Sequence, residues 1–297
     1  MFEEKEIANQ YVPLSFKDNI GLYIKREDQL HEEISGNKFR KLKYNFLRAR
    51  AYGCKTILTF GGAFSNHIAA TAAAGKAYGF KTIGIIRGEE LADKYLENPT
   101  LRKAAANGMS FEFISREAYR LKATPLFIED LQREFGAFYL IPEGGTNSLA
   151  VKGCEEILKA ADQEFDYICS AVGTGGTLAG LINTAGQGQR VLGFPALKGD
   201  FLTAEVRKFA RGDQWELIGD YHFGGYAKTT PVLLDFLSDF YARTGILLDP
   251  VYTGKMVFGI VDLIDKGCFP QGAKILAIHT GGLQGWNSKF DSELVKI

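Results

Sequence analysis

The sequence predicts an α/β protein of two lobes, each built on a mainly parallel sheet flanked by helices. Short apolar runs alternate along it with longer amphipathic ones, the rhythm of strands joined by helical crossovers. Glycine pairs follow several of the strand-like runs directly, where open parallel sheets receive ligands. At 297 residues the chain also exceeds the roughly 100–150 residues of a typical single domain.

The first series of elements begins with Thr56-Ile-Leu-Thr-Phe60, a β-branched run read as a strand. An alanine-rich helix over residues 66–78 follows, then a strand over 81–86 and a helix over 98–107. Phe111-Glu-Phe-Ile114 alternates with period two, residues 125–135 read as a helix opened by proline, and 137–141 as a strand. The Gly-Gly-Thr stretch at 144–146 marks the return from one lobe to the other. A second series predicts a helix over 152–161, strand 167–172, helix 177–184 and strand 191–194. Helices over 231–244 and 255–266 and a strand over 274–278 complete it. The smaller lobe is therefore expected at 52–147, inserted into a larger lobe made of residues 1–51 plus 148–297.

Composition excludes several classes of function. Lys and Arg number 35 against 35 Asp and Glu, so there is no basic footprint for a nucleic acid or an anionic membrane. No run approaches the roughly 18 apolar residues of a membrane helix, and the charged start lacks the apolar segment of a signal peptide. The four cysteines form no Cys-x-x-Cys pair and read as reduced thiols, with Cys169 buried in a strand. The four histidines are scattered, so no metal site is expected, and the chain reads as cytoplasmic. The 34 glycines are about 11 % of the chain against about 7 % in ordinary domains, which points to a ligand site built from close-approaching backbone.

Three clusters can carry chemistry. In the first, a strand enters Gly173-Thr-Gly-Gly-Thr177 and then a helix, so free N–H groups and the helix dipole form a phosphate cup. Leu178 stands where a dinucleotide fingerprint needs its third glycine, and Gly-Lys-Ser/Thr is missing, so a phosphate monoester suits the motif best. In the second, Gly61-Gly-Ala-Phe-Ser65-Asn66-His67 opens a helix, where backbone donors suit a carboxylate; a plain serine cap explains Ser65 but not the two glycines. In the third, Lys38 and Lys41 lie three apart at a helix start, where cations are unfavourable unless an anion sits there or the face is simply solvated.

Lys25-Arg-Glu-Asp28 followed by Gly36-Asn-Lys38-Phe-Arg-Lys41 resembles the Schiff-base segment of the 1-aminocyclopropane-1-carboxylate (ACC) deaminase/D-cysteine desulfhydrase family. Residues 62–67 and 173–177 match that family's carboxylate and phosphate loops, and 248–255 and 278–282 match two further blocks. The resemblance implies the two-domain, tryptophan-synthase-β-like fold type II, pyridoxal 5'-phosphate as cofactor, a small amino acid as substrate and a homodimer. It implies that Lys38 holds the cofactor covalently, while Lys41, Thr174, Gly175, Gly176 and Thr177 hold its phosphate. Asn66 would bond the ring oxygen and Thr280 the pyridine nitrogen. Ser65, Asn66 and His67 would take the substrate, Ser65 and Tyr252 would flank its reacting carbons, and Tyr226 matches a substrate-contact tyrosine of the family. Ala227 departs from the glycine usual after that last tyrosine.

The resemblance also bears on the reaction. ACC deaminases carry Glu after the catalytic tyrosine and Leu before the late Gly-Gly; this chain has Thr253 and Thr280, as D-cysteine desulfhydrases do. The expected activity is β-elimination from D-cysteine, with ACC deamination as the alternative. A non-catalytic phosphoryl-ligand binder is the reading of another class, opposed by the presence of both Lys38 and Tyr252.

Overall fold

The computed structural model describes residues 1–283 and Trp286. In chain order its elements are β1 (Asn9–Tyr11), β2 (Gly21–Lys25), α1 (Asn37–Ala51), β3 (Thr56–Gly61), α2 (Asn66–Tyr78) and β4 (Lys81–Arg87). Next come α3 (Pro99–Ala106), β5 (Met109–Ile114), α4 (Arg116–Arg120), α5 (Pro125–Phe135), β6 (Tyr139–Ile141) and α6 (Ser148–Cys154). Then follow β7 (Tyr167–Val172), α7 (Gly176–Thr184), β8 (Arg190–Pro195), α8 (Phe201–Arg207) and β9 (Trp215–Leu217). The described elements end with α9 (Pro231–Thr244), α10 (Thr253–Asp265) and β10 (Lys274–Ile278).

The chain divides into two compact units. Unit 1 comprises Met1–Glu3 and Lys41–Ala150, and unit 2 comprises Glu4–Arg40 and Val151–Ile297. In unit 1 four parallel strands run in the order β5-β4-β3-β6. Leu58, Phe60, Ile83 and Ile85 pack against Leu131 of α5, while Ile86 meets Ile68 and Ala72 of α2 and Leu101 of α3. Unit 2 carries six strands in the order β1-β2-β10-β7-β8-β9, all parallel except the β1–β2 pair. One face buries Cys169, Ala277 and Leu192 against Met256, Val257 and Ile260 of α10. Ile168, Val172 and Ile278 on the other face meet Leu178 and Leu181 of α7. Burial on both faces is why these strands read as continuous apolar runs rather than as alternation.

The predicted mainly parallel α/β architecture is what the structure contains, and α2, α5, β7, α9 and β10 keep the expected bounds. Three short strands, β1, β2 and β9, extend the larger sheet beyond expectation. The helix expected over 152–161 is a correction: α6 starts at Ser148 and ends at Cys154, and residues Ala160–Glu164 form a separate 3-10 turn. Asp162 is the cause. Its buried carboxylate pairs with Lys25 at 2.8 Å and accepts from Lys159 N at 2.7 Å, which turns the chain there.

Helix α1 carries the first site lysine. Phe39, Leu42, Phe46 and Ala49 fall on one fully buried face, the i, i+3, i+7, i+10 pattern of an amphipathic helix. Arg40 is buried beside them and bonds Glu27 twice, with Nε to Oε2 and Nη2 to Oε1 both at 2.9 Å. Burial alone would lower the guanidinium pKa, but Glu27 and Glu4 outweigh it and hold the group charged.

Candidate active site

In unit 2 the first turn of α1 meets the glycine-rich turn before α7. Lys38 Nζ donates to Asn37 Oδ1 at 2.9 Å, and Asn37 Nδ2 donates to Thr177 Oγ1 at 2.8 Å. Gly175 caps α7 with φ +82, a left-handed conformation that β-carbon-bearing residues rarely adopt. The first hydrogen bond back into the cap is from Ala179 N to Gly175 O, so the earlier N–H groups of Gly176, Thr177 and Leu178 lack intrahelical acceptors. This is the turn for which the sequence predicts a phosphate cup, and one asparagine side chain links it to Lys38.

Thr280 belongs to the same constellation. Its carbonyl accepts from Asn37 N at 3.2 Å, and its side chain is nearly buried. Gly36 has φ +61, and a Cβ there would collide with the Thr280 carbonyl; the glycine is what lets the two segments touch. Next to it, His279 Nε2 lies 2.8 Å from Leu247 O, which can only accept, so Nε2 carries the proton and Nδ1 accepts from Gly281 N. The end of β10 is thereby fixed.

Tyr252 stands at the start of α10 with its ring against Gly173: a Cβ on Gly173 would lie 3.2 Å from Tyr252 Cε1. Buried Asp249 holds this turn. Its Oδ2 accepts from Val251 N and Tyr252 N at 2.9 and 2.8 Å, and its Oδ1 accepts from Thr253 N and Oγ1 at 2.7 and 2.6 Å. Burial pushes the Asp249 carboxyl pKa up, against the pull of those donors and of His279. The Tyr226 ring meets Tyr252 edge-on with centroids 6.1 Å apart. Ala227 has φ +54, which gives the physical reason why glycine suits that position.

Unit 1 carries the remaining predicted residues. Ser65 caps α2 and accepts from Ile68 N at 3.3 Å, which leaves its own O–H to donate, and Asn66 is the first residue of the helix. The His67 ring turns inward: Nε2 lies 2.8 Å from Thr59 Oγ1, whose proton goes to Ile141 O at 2.8 Å. Lys41 Nζ donates to Gly144 O at 3.1 Å and to Thr146 Oγ1 at 2.9 Å. A cavity of about 530 Å³ opens at the carboxyl ends of the four strands, bordered by Gly62, Phe64, Arg87, Arg120 and Glu143.

Three supporting residues escaped the sequence reading: Asn37, Asp249 and Lys255. Asn37 adjoins the lysine, and Asp249 precedes Thr253 by four positions ahead of a helix, a side-chain cap pattern that was available in the sequence. Lys255 carries no local signal, because its partners lie 30 and 33 residues away. Among the described residues no group of three or more His, Cys, Asp or Glu could hold a metal, and no helix is long and apolar enough to cross a membrane.

Comparison with known proteins agrees with this geometry. Residues 8–281 match a family model described as pyridoxal-phosphate dependent enzyme. A Pyrococcus horikoshii protein named "Putative 1-aminocyclopropane-1-carboxylate deaminase" is 35 % identical over 94 % of this chain and 90 % of its own. The mitochondrial bifunctional D-cysteine desulfhydrase/1-aminocyclopropane-1-carboxylate deaminase of Arabidopsis thaliana is 34 % identical over 91 % of this chain and 74 % of its own. A crystal structure of an ACC deaminase homologue superposes with a TM-score of 0.84 at 33 % identity, covering 99 % of this chain and 94 % of that one.

Proposed function

This chain belongs to the family of pyridoxal-phosphate dependent enzymes, and on that premise we propose that it is a lyase converting D-cysteine to pyruvate, ammonia and sulfide. The donors of unit 2 fit the cofactor: a primary amine for its aldehyde, unsatisfied helix N–H groups for its phosphate and a hydroxyl for its ring nitrogen. When bound, pyridoxal phosphate supplies the sink for the electron pair left as the α-proton departs.

The chain's own residues divide the remaining work. Lys38 would hold the cofactor through its amine and, as a primary amine at the reacting centre, would carry the α-proton. Thr174, Gly175, Gly176 and Thr177 hold the phosphate through the turn and the start of α7, with Lys41 adding positive charge on the same helix as Lys38. Asn66 bonds the ring oxygen. Ser65, Asn66 and His67, at the start of α2, take the substrate carboxylate, His67 by holding the helix start to Thr59. Tyr252 and Tyr226 stand at the leaving-group side, where a phenol gives a proton to the departing thiolate.

One observation carries the choice of reaction: residue 280, which the family resemblance sets at the ring nitrogen, is a threonine with a neutral hydroxyl. Thr253 offers no alternative there, since its hydroxyl gives its proton to Asp249 Oδ1 and accepts from Asp249 N. Without a carboxylate to keep the nitrogen protonated the sink is weaker. It suffices when the Cα–H and Cβ–S bonds break with thiolate leaving, but cyclopropane opening demands more. The second reading, ACC deamination to 2-oxobutanoate and ammonia, is favoured by the names of the relatives. A non-catalytic phosphoryl-ligand binder has no use for both Lys38 and Tyr252. A homodimer, from the family resemblance, in a reducing compartment such as the cytoplasm, from cysteines that form no pair, completes the proposal.

A panel of D- and L-cysteine, ACC, D-serine and β-chloro-D-alanine, scored for keto acid, ammonia and sulfide, tests the proposal. Sulfide and pyruvate from D-cysteine with little 2-oxobutanoate from ACC is the expected result. Rapid turnover of ACC with D-cysteine inert overturns it.

A further inference from the structure

Lys255 is buried in the first turn of α10, three residues after Tyr252, and none of the steps above uses it. Its Nζ donates to two carbonyls of one distant loop, His222 O at 2.9 Å and Gly225 O at 2.8 Å. That loop is strained. Phe223, Gly224, Gly225 and Ala227 all have positive φ, at 52°, 89°, 116° and 54°, and two of the four carry a side chain. The loop is also clasped by the Phe223 ring, edge-on to Phe258 of α10 at 5.0 Å. Between Gly225 and Ala227 lies Tyr226, whose ring meets Tyr252 at the head of the same helix. One helix therefore carries Tyr252 and fastens, through the lysine and Phe258, the loop that carries Tyr226.

We propose that Lys255 is a positioning residue, clasping the 222–228 loop through two carbonyls so that Tyr226 stands against Tyr252 on the substrate. The proposal rests on the reading that both tyrosines face the substrate. A buried ammonium is costly, and burial draws this one's pKa down to about 8 against the opposing charge of Asp249. What the lysine contributes is the two carbonyl contacts. The same oxygens also accept within the loop, His222 O from Gly225 N at 3.0 Å and Gly225 O from Lys228 N at 3.2 Å, so the ammonium ties an already closed turn to the head of α10.

The test uses the holoenzyme, with amide hydrogen exchange and steady-state kinetics on wild type, Lys255→Met and Lys255→Met/Ala227→Gly. In Lys255→Met, exchange at residues 223–227 should rise about tenfold while that of β7 stays unchanged. KM for the substrate should rise about tenfold with bound cofactor content unaltered and kcat reduced less. Ala227→Gly removes strain against which the lysine works, so the double variant should recover part of both effects. Unchanged exchange at 223–227 in Lys255→Met overturns the clasp. Raised exchange with KM unmoved overturns the placement of Tyr226 on the substrate, and the positioning role with it. The substrate panel tests the family reading separately, because it needs no variant at either residue.

Discussion

Replacing Asp249 with asparagine perturbs the turn that presents Tyr252 without changing its volume. The carboxylate is fully buried and accepts four hydrogen bonds, three from backbone N–H groups and one from the Thr253 hydroxyl. An amide keeps one oxygen, so two of the four donors would face an NH₂ group. Hydrogen bonds to a charged acceptor are worth about 1.5–3 kcal/mol each, which puts the gross loss at about 3–6 kcal/mol. Part of it is offset, because burial already disfavours the charged carboxyl and asparagine is spared that cost. The net expectation is about 2–4 kcal/mol, read as a lower urea midpoint at unchanged slope. The catalytic effect should accompany it, because Tyr252 has φ −123 and ψ −75, outside the usual wells, and three of the four bonds to Asp249 come from residues 252 and 253. A variant with less than about 0.5 kcal/mol of lost stability and wild-type kcat would refute the claim that these bonds seat the tyrosine.

Glu27→Ala should cost about 3–5 kcal/mol in urea unfolding, because it leaves the buried Arg40 guanidinium without its bidentate partner. Tyr252→Phe should lower kcat about 10²–10⁴-fold if the phenol handles a proton, and far more than Ser65→Ala, whose serine caps a helix; equal losses would remove tyrosine from that role. The pH dependence of stability should carry the mark of Lys255. Its folded pKa of about 8 lies below the ordinary lysine value of about 10.4, so between those values the unfolded chain binds more protons. Stability of wild type relative to Lys255→Met should therefore rise by about 2–3 kcal/mol from pH 8 to pH 10, and a flat difference would contradict the buried ammonium.

Much of the scaffold is visible in the chain because local chemistry and tertiary burial agree there. Helices α5 and α9 open with proline at the first position, and α2 and α9 close on glycine with φ +74 and +68, so punctuation and periodicity coincide. Strands β1 and β9 have three residues each, too few to show a period. The 152–161 segment misleads because a buried ion pair, Lys25 with Asp162, decides its path, and the partner lies 137 residues away. At the site the same line divides the residues. Lys38 and the 173–177 turn are contiguous motifs whose local conformation does the work, and both could be read directly. Lys255 acts through carbonyls of another segment, and a carbonyl has no residue identity to be read.

That division has a chemical consequence. The seat proposed for the cofactor is made by backbone: Gly36 against the Thr280 carbonyl, the left-handed Gly175, and the first N–H groups of α7. The seat for the tyrosines is made by buried charged side chains, Asp249 under Tyr252 and Lys255 under the loop of Tyr226. Substitutions in the first group strike the backbone itself and would remove the cofactor along with the activity. Substitutions in the second should displace a phenol and leave the 173–177 turn and Lys38 in place. On the proposed function, positions 222–228 and 249–255 would be where one scaffold can exchange one amino-acid substrate for another, while 36–38, 173–177 and 280 would keep its cofactor. On the proposed function Thr280 ties the two together, since its carbonyl accepts from Asn37 N and its hydroxyl would set the strength of the electron sink. A change there would then alter the chemistry without altering the fold, so a hydroxyl at this one position would favour elimination over ring opening in a chain otherwise so similar to proteins named for the latter.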